Sequence, residues 1–465
     1  MPDTSWSTYV CRSAAFGDTR LKQRLMHIVD ALLTHPQASL PEALGTPQAV
    51  RAYYDFLANP RVTDAALLQV AQADVVARLE EGQVVLVTHD TSEYNYSTHT
   101  ATPGLGPLSN PVARGLHVHS VLAQLPEGLP LGVLHCESWA RDPATTGRRH
   151  QRRQRAHDDK ESARWTRGLD AVHALVPPTV TVIHLADREA DLYPLWVAER
   201  PAHSHLLIRV RHDRRVVART PDLRRLRAAV AATPAIGGQY VEVARRPGHA
   251  PRCAKVELHV TPVTIRRPDT LPAGAYPATV PLTLVWAVEV DPPAGVPPLE
   301  WLLATTLPVA DLASAQQITQ WYSRRWLIER YHYVLKSGLR LEDLQVRTAV
   351  ALQHALLIAS LVAVRLLWIT YAARLLPTAP CTLALSPCEW QTLHLATQTT
   401  SLPTQPPSLA EAVGQLAQLG GHRPWPSAGP PGVQVLWRGW RILQHMVTYA
   451  NRLQAYQALF ERTGT

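Results

Sequence analysis

The sequence of 465 residues predicts an α/β fold with helical N-terminal and C-terminal regions. Three observations carry that expectation. Between residues 83 and 211 short β-branched runs alternate with helical periodicity. Between 212 and 310 the runs are strand-like throughout and are separated by Pro and Gly clusters. On both sides of these stretches apolar residues recur with a helical period. A chain about two to four times the usual domain length favours one large core with appended modules.

The head comes first. Thr46-Pro47 supplies an N-cap followed by Pro at the first helical position, which opens a helix over residues 48–57. Arg20, Lys22 and Arg24 precede the periodic run Leu25, Ile28, Val29, Leu32, an amphipathic helix with a basic approach. The alternating region then places strands at 83–88, 117–124 and 131–138, a helix at about 159–175, and strands at 180–185 and 206–210, with a helix after Asp191. A β insertion occupies about 212–310, and helical periodicity resumes at 313–339 and 349–376. Residues 377–432, rich in Pro, Ser, Thr and Gln, read as a linker before a short helical tail at 433–462. The expected division is therefore a helical head over 1–75, a core over 76–376, and a Pro-rich linker with a C-terminal helical region over 377–465.

Composition narrows the partners. Lys plus Arg exceed Asp plus Glu, 46 against 37, and the formal net charge of +9 favours a polyanion over an acidic small molecule. Five scattered cysteines with no C-x-x-C pair argue against a disulfide framework and structural zinc. His117 and His119 alternate along a strand and decorate one of its faces. The N-terminus lacks a basic segment followed by an apolar one, so no signal peptide is expected. The apolar stretch 355–376 carries Ser360, Arg365 and Arg374 and reads as a buried core helix, so no membrane partner is expected.

Three carboxylates carry the chemistry. Asp90 and Asp187 each follow a strand-like apolar run, where a carboxylate is costly unless a cation or hydrogen bonds compensate it. Two neighbouring carboxylates repel, and a hard cation such as Mg²⁺ resolves that repulsion while keeping positions open for water and phosphate. A turn former or helix N-cap is the competing role for either aspartate alone. The third acid is Glu329: on a helix Tyr322, Arg325, Glu329 and Lys336 form one narrow stripe, with Ile328, Tyr331 and Leu335 facing a core. A solvated face with an i,i+4 Arg325–Glu329 pair is the alternative.

The pattern Tyr-x-x-Arg-x-x-x-Glu-x-x-x-x-x-x-Lys formed by these four residues resembles the signature of the insertion-sequence-four family of DDE transposases. Phe16 to Arg20, Asp90-Thr91-Ser92, Asp187-Arg188-Glu189-Ala190-Asp191, Leu299 to Leu303 and Leu436 to Trp440 follow the family's landmarks in the same order. The resemblance implies an RNase H-like catalytic core with an inserted β domain. Asp90, Asp187 and Glu329 would be catalytic residues holding two Mg²⁺ ions, for which Mn²⁺ can substitute.

The same resemblance implies that Tyr322, Arg325 and Lys336 grip DNA phosphates and that Trp301 stacks on a flipped base. The DNA contacts counted with them are Arg20, Arg24, Arg209 and Arg211. The head would read double-stranded transposon ends, the C-terminal helices would form a homodimer, and cut ends would be joined to target DNA, in a bacterial cytoplasm and at the nucleoid. Arg330 and Tyr333 depart from the family pattern, and the basic run 148–155 has no counterpart in it. An RNase H-like nuclease without strand transfer and a catalytically silent end-binding protein are the alternatives.

Overall fold

The computed structural model describes residues 6–110, 112–145, 160–218, 220–243, 251–423 and 431–463. The basic run 148–155 lies outside them. Helices α1 (Trp6–Val10), α2 (Thr19–Thr34), α3 (Leu40–Leu44), α4 (Pro47–Leu57) and α5 (Asp64–Val76) form the head. Asp18, Ser39, Thr46 and Thr63 cap the last four through their side chains, which satisfies amide groups that a helix start leaves unpaired. Leu25, Ile28, Val29, Tyr53 and Phe56 are buried in one core shared with a long later helix.

The sheet comprises β1 (Val84–Asn95), β2 (Gly106–Pro107), β3 (Arg114–Gln124), β4 (Pro130–Trp139), β5 (Thr181–Ala186), β6 (Ser204–Arg209), β7 (Ala235–Val243), β8 (Arg252–Arg266), β9 (Thr279–Glu289) and β10 (Glu300–Thr305). Its order is β2-β3-β1-β5-β6-β10-β9-β8-β7, with β4 also on β3. β1, β5 and β6 run parallel, and the other pairings are antiparallel. The strands of the expected insertion therefore do not form a sheet of their own: β10 pairs with β6 and carries β9, β8 and β7 outward as an extension of the central sheet.

Side chains alternate along β1. Val85 and Val87 pack against α6 (Arg164–Leu175), whereas Leu86 joins the core beneath α9 (Leu312–Ser323). Between them in sequence lie the single-turn α7 (Tyr193–Trp196) and α8 (Leu226–Ala231), so the helix expected after Asp191 is one turn long. The helix expected over 313–339 is interrupted. It divides into α9, a turn at Arg324–Arg325 closed by i→i+3 bonds, α10 (Trp326–Tyr333) and a π-helical turn at Val334–Gly338.

Helix α11 (Ala349–Leu375) has the length and apolarity to cross a bilayer, yet 78% of its most apolar window is buried inside the protein. Its first half packs on the head and its second half on the C-terminal region. That region corrects the expected linker. α12 (Pro387–Thr397) and α13 (Leu409–Leu419) each start with a complete capping box, Ser386 with Glu389 and Ser408 with Glu411, and α14 (Val433–Thr463) packs across both.

Candidate active site

Asp90 lies inside β1 and not at its end, because β1 continues to Asn95 along β3. Its parallel pairing with β5 stops earlier. Thr88 pairs with Leu185, and two residues further on the two chains reach Asp90 and Asp187. Residues in register on adjacent strands project from the same face, so both aspartates continue the α9 side of the sheet. Asp187 caps the turn Arg188–Ala190 by accepting from the Glu189 amide at 2.9 Å. The N-cap role and a place two residues past the last β1–β5 pair coexist in this residue.

Glu329 comes over the same face from α10. Gln124 fixes the approach: its buried side-chain amide donates to Thr88 Oγ1 at 2.9 Å and to the Arg324 carbonyl at 3.1 Å, stapling the α9–α10 break to β1 and β3. Arg325 then reaches Glu329, with Nη2 2.5 Å from Oε1. Burial pushes the Asp90 carboxyl up to about 7; Arg325 opposes this, while Asp187, Glu329 and Glu189 add to it. With three carboxylates raising it and the Arg325 guanidinium opposing them, the Asp90 carboxyl is short of positive charge.

That charge pattern and the all-oxygen donor set fit a hard divalent cation. Among the described residues no three His, Cys, Asp or Glu side chains already converge as ligands, and Glu329 is held by Arg325. Asp187 and Glu329 both act on the Asp90 carboxyl, with the Arg325 guanidinium in the position of a counter-ion.

The remaining expected contacts divide. Tyr322 is buried in the core beneath α9, not on an open polar face; burial raises its phenol pKa, against the pull of Arg325 and Arg209. Trp301, half-buried on β10, meets Tyr322 edge to face at 5.8 Å. Arg209 donates from Nη2 to the Glu300 carbonyl at 2.8 Å, and burial lowers its pKa. Lys336, carried on the π turn, lies 5.0 Å from the centre of the Tyr94 ring. Ile328, Tyr331 and Leu335 face the core, as the spacing predicts. Arg211 is exposed. So are Arg20 and Arg24 on α2, where Arg20 forks onto Asp18 at 3.2 and 3.0 Å.

Unlike His119, the residues Asp191, Arg214, His332, His89 and His184 were not singled out from sequence. Asp191, the last acid of Asp-Arg-Glu-Ala-Asp, is fully buried and saturated by Arg214, the amides of Arg211 and His212, and the Trp196 indole. Arg214 holds its carboxyl below the usual range against the cost of burial. His332 lies 3.8 Å from Asp90, but burial lowers its pKa to about 3, so the pair is not an ion pair. His89, His119 and His184 form a buried neutral cluster on the opposite face.

Residues 3–62 match the transposase DNA-binding family, and residues 141–365 match the transposase DDE domain. The second match holds Asp187 and Glu329 and begins after Asp90. A DDE domain implies an RNase H-like core, and the mixed sheet with its covering helices is α/β. Two such matches in this order on one chain support a DNA transposase of the DDE type.

Proposed function

We propose that the chain is a cut-and-paste transposase of the insertion-sequence-four family, similar to the transposase of the Tn-five transposon, with Asp90, Asp187 and Glu329 as its metal-holding acids. The observation that supports the reading is that the β1–β5 pairing ends two residues before Asp90 and Asp187 and that Asp187 and Glu329 both add to the upward push of burial on the Asp90 carboxyl. When bound there, two Mg²⁺ ions supply activation of water and stabilisation of the leaving 3′-oxygen in an in-line phosphoryl transfer. Mn²⁺ is the natural substitute.

The chain's own groups do the rest. Arg325, released from Glu329, and Lys336 present cations to the phosphates of the cut strand, and Arg209 and Arg211 extend that basic surface. Tyr322 holds Trp301 from the side, leaving the exposed part of the indole as a platform for an unstacked base. A nick followed by attack of the freed 3′-hydroxyl on the opposite strand gives a hairpin, which is opened before joining to target DNA. Arg20 and Arg24 belong to the head that reads the ends. The β7–β9 extension takes the place of the inserted β domain, and the C-terminal helices join two copies in a homodimer. The setting is the bacterial cytoplasm, at the nucleoid.

The test is a reaction with end-labelled duplexes carrying the repeats that flank the coding region, Mg²⁺ and a target plasmid. Nicked, hairpin, blunt and joined products should all form. Cleavage without joining would instead identify a nuclease, and end binding without metal-dependent products a silent binder. Trp301→Ala should leave the first nick nearly intact and reduce the hairpin; equal loss of both would make Trp301 a core residue only.

A further inference from the structure

We infer that Arg164 is a positioning residue that sets the spacing of Asp90 and Asp187 from behind the sheet, an inference that rests on the metal-centre reading above. The need for such a residue follows from the topology. The β1–β5 ladder ends at Thr88–Leu185, so among the described residues no ladder bond fixes the two chains against each other where the aspartates stand. Something else has to hold them at one separation, because metal ligands act only within a few tenths of an ångström of their working geometry.

Arg164, the first residue of α6, bridges these two segments. Its Nε donates to Thr91 Oγ1 at 2.8 Å, its Nη2 to Glu189 Oε2 at 3.1 Å and its Nη1 to the Glu161 carbonyl at 2.9 Å. Thr91 follows Asp90 in β1. Glu189 lies in the turn that Asp187 caps, and its amide is bonded to Asp187 Oδ1 at 2.9 Å. One planar guanidinium thus ties the segment of each aspartate to the same rigid fork.

The fork itself is immobilised. The Arg164 side chain is 11% exposed and lies 5.2 and 5.8 Å from the ring centres of Trp165 and Trp139. Thr91 Oγ1 is also 3.0 Å from His119 Nδ1, and the Glu161 carboxylate takes a two-pronged contact from Arg141 at 2.6 and 2.8 Å. Gly168 lets α6 come this close: a Cβ there would lie 3.1 Å from His89 Nδ1 and from a Val121 methyl. Because Thr91 projects from the face opposite Asp90, neither it nor Arg164 is placed to touch the metals or DNA phosphates.

The experiment measures Mn²⁺ binding by the full-length protein from the electron paramagnetic resonance signal of the free ion. It compares wild type, Arg164→Gln, Glu189→Gln, Thr91→Val and the Arg164→Gln/Glu189→Gln double variant. Residues that orient metal ligands change affinity by about 10–100-fold when replaced. Affinity should therefore fall about tenfold in Arg164→Gln, and fall measurably in Thr91→Val and Glu189→Gln.

The double variant should bind no more weakly than Arg164→Gln, since both replacements break one contact. Multiplying effects would make Glu189 an independent ligand and overturn the brace. Should Arg164→Gln fail to fold, Thr91→Val decides, because its side chain faces away from the acids: reduced affinity supports the brace and wild-type affinity overturns it. Wild-type protein that binds no Mn²⁺ overturns the metal centre and the brace together, whereas tight wild-type binding with unaffected variants overturns the brace alone.

Discussion

On one face of β1, His89 and Thr91 sit among fixed partners: His89 Nε2 is 2.9 Å from His184 Nδ1, and Thr91 accepts from Arg164 while contacting His119. On the other face the Asp90 side chain, among the described residues, has no partner closer than the 3.8 Å contact to a neutral His332, and burial, Asp187, Glu329 and Glu189 push its carboxyl up while Arg325 opposes them. The two faces are one residue apart in sequence. On the first each side chain is held by at least one bond, although among the described residues His89 Nδ1, His119 Nε2 and His184 Nε2 stay unpaired; the second is short of cations. A bonded face maintains geometry. An under-compensated one can take up metal and phosphate at the cost of one protein contact, the Arg325–Glu329 pair. The same contrast separates Asp191, which five donors from four residues surround, from Asp187, whose side chain, among the described residues, accepts from the Glu189 amide alone.

The largest expected effect is on catalysis. Asp90→Asn, Asp187→Asn and Glu329→Gln should each lower nicking by roughly a thousandfold or more while end binding, measured by gel shift, stays near wild type. A variant that nicks normally would remove its acid from the open, cation-poor face.

Next comes stability. Asp191→Ala leaves buried Arg214 uncompensated and should cost about 3–5 kcal/mol in denaturant unfolding, whereas Asp187→Asn should cost little. Equal losses would erase the distinction between the two acids.

Asp90→Asn should work in the opposite direction. Burial raises the folded-state pKa of Asp90 to about 7, above its unfolded value near 4, so the folded protein binds more protons than the unfolded one between those values. Metal-free stability therefore falls as pH rises through that window. The Asn variant should be more stable than wild type at pH 8 by on the order of 1–3 kcal/mol, and should lose most of that advantage near pH 4. Melting curves in chelator at several pH values check this.

The smallest effect concerns Arg325. Arg325→Gln frees Glu329 and should raise Mn²⁺ affinity in the absence of DNA, while reducing the log–log salt slope of DNA binding by about 0.9. An unchanged slope would leave Arg325 as a partner of Glu329 only.

Much of this arrangement was legible in the residues. The α/β alternation, the N-cap at Thr46, the buried side Ile328, Tyr331, Leu335 and the long apolar helix all follow from local periodicity, and the structure has them. What periodicity does not carry is pairing. That β10 returns to β6, making β7–β9 an extension of the sheet, depends on contacts between segments far apart in sequence. The extent of β1 past Asp90 is likewise set by β3, not by the residues after Thr88.

The 377–432 stretch is a different case. Ser386 with Glu389 and Ser408 with Glu411 are capping-box signals visible in sequence, but the surrounding Pro, Ser and Thr content outweighed them in a compositional reading. For the site, Asp90 and Asp187 stood out as acids after apolar runs, and Glu329 through its helical spacing from Tyr322, Arg325 and Lys336. Arg164, Gln124 and Arg214 did not, since an arginine or glutamine that braces a site through the fold has no local signature.

The central claim, that Asp187 ligates a metal beside Asp90, is tested most directly by exchanging its oxygen for sulfur. Asp187→Cys protein that still binds transposon ends should not nick them with Mg²⁺, which avoids thiolate, and should regain nicking with a softer ion such as Mn²⁺ or Cd²⁺. Nicking by this variant at the wild-type rate in Mg²⁺, or in the presence of chelator, would contradict the account.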